Sequence, residues 1–166
     1  MTNVGPGLVF GLMHLYGLPL VALPLAVATW LFREDLAGVR HVLRAFGVLA
    51  LAGYLAAWLL GAVPVELGPA VAVFLLLYAG WPLAVAHWIA GRAGLAGSRG
   101  WVLAVQGWAV AHGLVLVAGV AGLPGPGSVP VVGATWYGAY AAMMTAVGVL
   151  GGALAVGMDW ALGEDS

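Results

Sequence analysis

Cysteine and lysine are both missing from this 166-residue chain, and charged residues of every kind make up only 7% of it. Without cysteine there is no disulfide framework, no thiolate metal site and no thiol redox chemistry, whatever the compartment. Five arginines nearly balance six acids, for a net charge of -1. No basic face is left for phosphates, so nucleic acid is excluded as a partner. A soluble domain carries roughly 25% charged residues. A chain this poor in charge could not cover its surface with groups that water solvates. Short catalytic signatures are absent too: there is no His-Glu-x-x-His helix and no Gly-x-Ser-x-Gly elbow.

What is there is apolar: 64% of the residues are hydrophobic. A helix needs about 20 apolar residues to cross roughly 30 Å of hydrocarbon, where irregular backbone would leave its polar groups unpaired. The charges cut the chain into uncharged stretches, and Leu123-Pro124-Gly125-Pro126-Gly127-Ser128-Val129-Pro130 divides the longest, because three prolines and two glycines cannot continue a helix. The expected fold is all-α: a polytopic membrane helical bundle in a single domain, with spans at residues 7–32, 44–63, 69–90, 101–122 and 134–160. Met1 to Phe32 is uncharged. A secretory signal opens with a basic segment, so this stretch is read as a retained first span.

Orientation follows from the arginines, which stay in cytoplasmic loops. Arg33, Arg40 and Arg44 fall between spans one and two, and Arg92 and Arg99 between spans three and four. The chain is therefore expected to run N-out and C-in, as a multi-pass protein of the cell membrane. Trp30, Trp88, Trp101 and Trp160 then land at the inner headgroup level, where an amphipathic ring is favoured.

Two segments recur at nearly equal offsets. Pro24-Leu25-Ala26-Val27-Ala28-Thr29-Trp30 returns as Pro82-Leu83-Ala84-Val85-Ala86-His87-Trp88, and Leu36-Ala37-Gly38-Val39-Arg40 as Leu95-Ala96-Gly97-Ser98-Arg99. This repeat would make the chain two tandem helical hairpins plus one helix.

Between helices in lipid, close packing of small residues replaces most of the hydrophobic drive. Span five carries Gly138, Ala141, Ala142, Thr145, Gly148, Gly152 and Ala155 at helical spacing, and span one has Gly7 with Gly11. The span-five face should dock on the bundle, on another membrane subunit or on a second copy of the chain. Pro19, Pro24 and Pro82 lie inside spans and should kink them.

No Asp, Glu, Lys or Arg lies deep in any span, which argues against a pump built on a buried carboxylate. Histidines are the remaining candidates for chemistry, because a buried imidazole in lipid is costly unless hydrogen-bonded or ligated. A bis-histidine haem b needs two imidazoles at similar depth on facing helices. His14 in span one and His112 in span four meet that condition to within roughly 6 Å, and His41 and His87 both lie near the inner surface. The plainer reading is interhelical hydrogen bonding for His14 and His112 and a headgroup position for His41 and His87. Gln106 and Tyr16, Tyr54, Tyr78, Tyr137 and Tyr140 could line a polar path, and Trp81 and Trp108 could stack on a flat ligand, although glue between helices is the ordinary role of each.

In outline, with five spans, an outer N-terminus and eight tryptophans, the chain resembles the tryptophan-rich sensory proteins, also called translocator proteins. Arg33-Glu34-Asp35-Leu36-Ala37-Gly38 stands where that family has a proline- and tryptophan-rich first loop. The resemblance stops at the outline, and no residue is carried over.

Three functions from different classes fit the sequence. A non-catalytic subunit or scaffold of a membrane complex is the expected one. The others are a b-type haem or quinone-linked anchor using His14 and His112, and a small transporter or channel relying on the repeat, the prolines and Gln106 or His112.

Overall fold

A computed structural model describes residues 15–61, 76–121 and 134–163, and every regular element among them is helical. The first helix runs from Leu15 to Leu31 but changes pitch on the way. Leu18–Ala22 is a π-helical turn, and regular α-helix follows as α1, Leu23–Leu31. Pro24 supplies the reason. It lacks an N–H and its ring crowds the carbonyl four residues back, so one widened turn lets the helix pass with little loss. The same device appears again where Leu76–Gly80 forms a π-turn ahead of α3, Trp81–Arg92. Pro24 and Pro82 are each the second residue of their α-helix. The sequence repeat is thus also a repeat of backbone geometry, and the expected proline kinks take the form of π-turns.

The remaining helices are α2, Leu36–Leu59, α4, Gly97–Val120, and α5, Ala134–Gly163. Among the described residues three stretches are long and apolar enough to cross a membrane: Leu36–Gly53, Gly97–Val120 and Tyr140–Gly163. One boundary differs from expectation. Span two was to begin at residue 44, but α2 starts at Leu36, so Arg40, His41 and Arg44 sit on a helix rather than in a loop. Asp35 is the cause, since its carboxylate accepts the N–H groups of Ala37 and Gly38, each at 2.9 Å. Asp35→Ala should cost about 1 kcal/mol, read as a lower thermal midpoint by circular dichroism, with Asp35→Asn close to wild type.

The turn between α3 and α4 closes as a Schellman motif. Leu95 N–H bonds the Ala90 carbonyl at 3.0 Å and Gly94 N–H bonds that of Gly91 at 3.1 Å. Gly94 has φ +93°, a conformation that strains any side chain, and Leu95 turns inward to pack with Ala90.

Contacts between helices fix their directions. On α5, Gly148 meets Pro82 and Val85, and Gly152 meets Ala86 and Ile89, so α3 and α5 run parallel. Gly107 lies against Gly151 while Arg99 pairs with Asp159, so α4 and α5 are antiparallel. Gln106 reaches Ala26, and Gly113 faces Leu18, which sets α1 antiparallel to α4. The C-terminal ends of α1, α3 and α5 and the N-terminal ends of α2 and α4 therefore gather at one end of the bundle. All five arginines lie there.

Outward-facing side chains are largely apolar, among them Leu60 at 84% and Val120 at 83% exposure. Water would not tolerate so continuous an apolar surface on a monomer. Inside, the polar or charged residues that are fully buried among those described are Thr29 and His112.

Candidate functional site

The interior is assembled around aromatic rings from three elements. His112 and Trp108 are one turn apart on α4 and so share a face. Tyr78 comes from the second π-turn, and Tyr140 and Met144 come from α5. All five are buried, with His112, Trp108 and Met144 at 0% exposure. The His112 imidazole stacks on Tyr78 with ring centres 4.7 Å apart and planes 28° apart. Its other neighbour, Trp108, meets it edge-on at 5.0 Å and 88°. Tyr78 and Trp108 complete the triangle at 6.3 Å in an edge-to-face pair. Such geometries are the favoured ones for rings carrying a negative face and a positive edge.

Gly17 makes the position of Tyr78 possible. A Cβ on Gly17 would overlap the Tyr78 hydroxyl and ring, so the absence of a side chain lets the phenol lie against the backbone just ahead of the first π-turn. The two π-turns thus meet at this cluster. Nothing in the composition pointed to this pairing. Its signals in the sequence were the repeated prolines and an isolated glycine opposite a tyrosine.

A polar link lies one and a half turns along α4. Gln106 Nε2 donates to the Ala26 carbonyl at 2.7 Å, and the buried Thr29 hydroxyl donates to the carbonyls of Leu25 and Ala26 at 2.9 and 3.1 Å. Gln106 is therefore an interhelical tie. Trp81, half exposed, donates from its indole to the Thr145 hydroxyl at 2.8 Å, a bridge between α3 and α5. His87 stacks on Trp101 with ring centres 3.6 Å apart and planes 13° apart, joining α3 to α4 at the arginine end. His41 and Tyr16 are exposed.

His14, the other half of the expected haem pair, lies outside the described residues, as do Gly7 and Gly11 and the side chains of Tyr54 and Tyr137. The structure places only His112, and closes its ring between Tyr78 and Trp108. Among the described residues there is no group of three or more His, Cys, Asp or Glu side chains that could hold a metal ion. Among its described members the cluster offers one imidazole, one indole and two phenols.

Span five carries out the role expected of its small residues, but within the chain. Gly148 and Gly152 are buried against α3, and Gly151, which sequence reading passed over, meets Gly107 and Trp108 of α4. Gly138 and Ala142 of the same expected face are exposed. No known family description, no curated protein and no solved structure matches this chain.

Proposed function

We propose that this is a five-span integral protein of the cell membrane, N-out and C-in, serving as a non-catalytic subunit or scaffold of a membrane complex. The observation that carries the reading is how the interior is filled. Glycine backbones in contact hold α3, α4 and α5 together, and bulky rings occupy the space where those helices and α1 diverge. A transporter needs a path with polar lining, and an enzyme needs converging reactive groups. A filled interior of this kind suits a rigid frame. The apolar exterior and the single arginine-rich end support the membrane setting and the orientation.

A partner helix would not meet Gly148 and Gly152, which α3 covers. Gly138 and Ala142, nearer the start of α5, and Gly157, near its end, are exposed and offer such a helix a small-residue surface.

The absence of cysteine gives a clean test. Single cysteines at Glu34 and Glu66, probed with an impermeant maleimide, should report opposite sides: Glu66→Cys labelled in intact cells, Glu34→Cys only after lysis. On purification in mild detergent the protein should be colourless and elute with another polypeptide or as an oligomer. A monomer carrying its own ligand would overturn the scaffold reading, and a Soret band lost in His112→Ala would replace it with a b-type cytochrome.

A further inference from the structure

We infer that the arginine end of the bundle is a binding collar for anionic phospholipids, with Trp30 and Arg33 forming one headgroup clasp, Trp88 and Arg92 an equivalent second, and Arg40 and Arg44 extending the same rim. The inference rests on the membrane-spanning reading proposed above.

The guanidinium of Arg33 lies 5.2 Å from the centre of the Trp30 ring, and that of Arg92 lies 5.4 Å from the centre of the Trp88 ring. The two tryptophans occupy matching places in the repeat, each at the end of a proline-led helix. A guanidinium held over an indole face loses part of its freedom but keeps N–H groups at the edge, where a phosphate can accept two of them; Arg33 already donates one of its own, from Nη1 to the Trp30 carbonyl at 3.4 Å. Both rings are exposed, Trp30 at 44% and Trp88 at 62%. Indoles so placed settle at headgroup depth.

Charge at this end is uneven. The Asp159 carboxylate is 2.6 Å from Arg99, and that of Asp35 is taken up by the start of α2. Glu34 stands 3.6 Å from Arg33 with its side chain 87% exposed, a contact that water largely screens. Among the described residues no ion pair involves Arg40, Arg44 or Arg92. Arg40 and Arg44 are four apart on α2, and both are exposed. Glu164 and Asp165 follow α5 in sequence, so this end as a whole is close to neutral, and what the rim offers is local: guanidinium groups without an ion pair, on a bundle end that also exposes apolar side chains such as Val27 and Leu31, at 61% and 71% exposure. Only a ligand with a phosphate head and acyl chains covers both surfaces at once. A leaflet rich in anionic lipid is that ligand, and its surface favours each added arginine by about fivefold in occupancy.

The second clasp should be the stronger, since no acid neighbours Arg92 in sequence whereas Glu34 and Asp35 follow Arg33 directly.

The test reconstitutes the full chain in vesicles of phosphatidylcholine with a minority of phosphatidylglycerol, extracts it gently and measures the ratio of the two lipids retained. Wild type should retain phosphatidylglycerol above its share in the vesicle. Combined Arg40→Gln, Arg44→Gln and Arg92→Gln should bring the ratio back toward the bulk value, with about a fivefold loss for each arginine. Trp88→Leu, which keeps every charge but frees Arg92, should lower enrichment more than Trp30→Leu. Retention at the bulk ratio in wild type, or unchanged enrichment in the triple variant, would overturn the collar. Insertion into vesicles of phosphatidylcholine alone, scored by resistance to alkaline extraction, is read separately. A chain that fails there contradicts the membrane-spanning reading, while one that inserts without selecting its lipids contradicts only the collar.

Discussion

Gly107→Val is expected to force α4 away from α5 and to lower the thermal midpoint of the detergent-solubilised protein. A side chain at Gly107 would run into the Gly151 carbonyl and come within 3.0 Å of the Ala155 nitrogen. Both obstacles are backbone, so neither can rotate away as the tip of a flexible side chain would. Overpacking a filled interior costs about 1–3 kcal/mol, and this site should lie at the upper end because relief requires moving a whole helix. Gly157→Ala is the matched control. On α5, its new methyl would meet no neighbouring part of the protein within 4 Å, and its effect should stay within about 0.5 kcal/mol. Equal midpoints for the two variants would mean that the glycine contact does not hold α4 to α5.

Trp108→Ala should be the second severe change, and Trp108→Phe a mild one. The indole is fully buried between Tyr78 and His112, and large-to-small changes at such sites cost about 3–5 kcal/mol. In hydrocarbon the transfer part of that cost is small, since a lipid tail is as apolar as the interior. What remains is the empty volume and the lost dispersion and ring contacts, which places the expected loss at about 3 kcal/mol. Phenylalanine keeps a ring in contact with both neighbours. It also removes an indole N–H that is buried without an acceptor among the described residues, and deleting an unsatisfied donor offsets part of the volume lost. Near-ultraviolet circular dichroism should report the same order, with the aromatic signal collapsing in the alanine variant and persisting in the phenylalanine one.

The helices were legible because composition alone decides what a chain does when its charges are few and clustered. Arg92 and Arg99 bracket the α3–α4 turn as expected, and α4 begins at Gly97 where residue 101 had been expected. The start of α2 was misjudged because charge was taken to mark a loop. Asp35 was available in the sequence as a helix cap, and a capped helix carries Arg40 and Arg44 outward on its first turns at little cost. The prolines announced irregularity at the right places, though not its form, since a kink and a π-turn satisfy the same missing N–H. Least legible was the cluster of His112, Tyr78 and Trp108. Depth along a helix can be counted from a sequence, but which faces meet depends on interhelical rotation. That rotation is set here by Gly148, which its spacing marked out, and by Gly17, Gly107 and Gly151, which were lost among the 27 glycines in the chain. The expected pairing of His112 with His14 counted depth alone. His14 lies outside the described residues, and His112 is placed against Tyr78 and Trp108.

The bond between Gln106 and the Ala26 carbonyl joins residues 80 apart in the chain. At about 5–20 residues per second, ribosomal synthesis takes roughly 4–16 s to cover that distance. Throughout that interval the opening hairpin exists without α4, the helix whose Gln106 later takes up its polar carbonyl. The proline-widened turn of that hairpin must wait in a half-built assembly, and that delay is when a chaperone or an assembly factor would have most to offer.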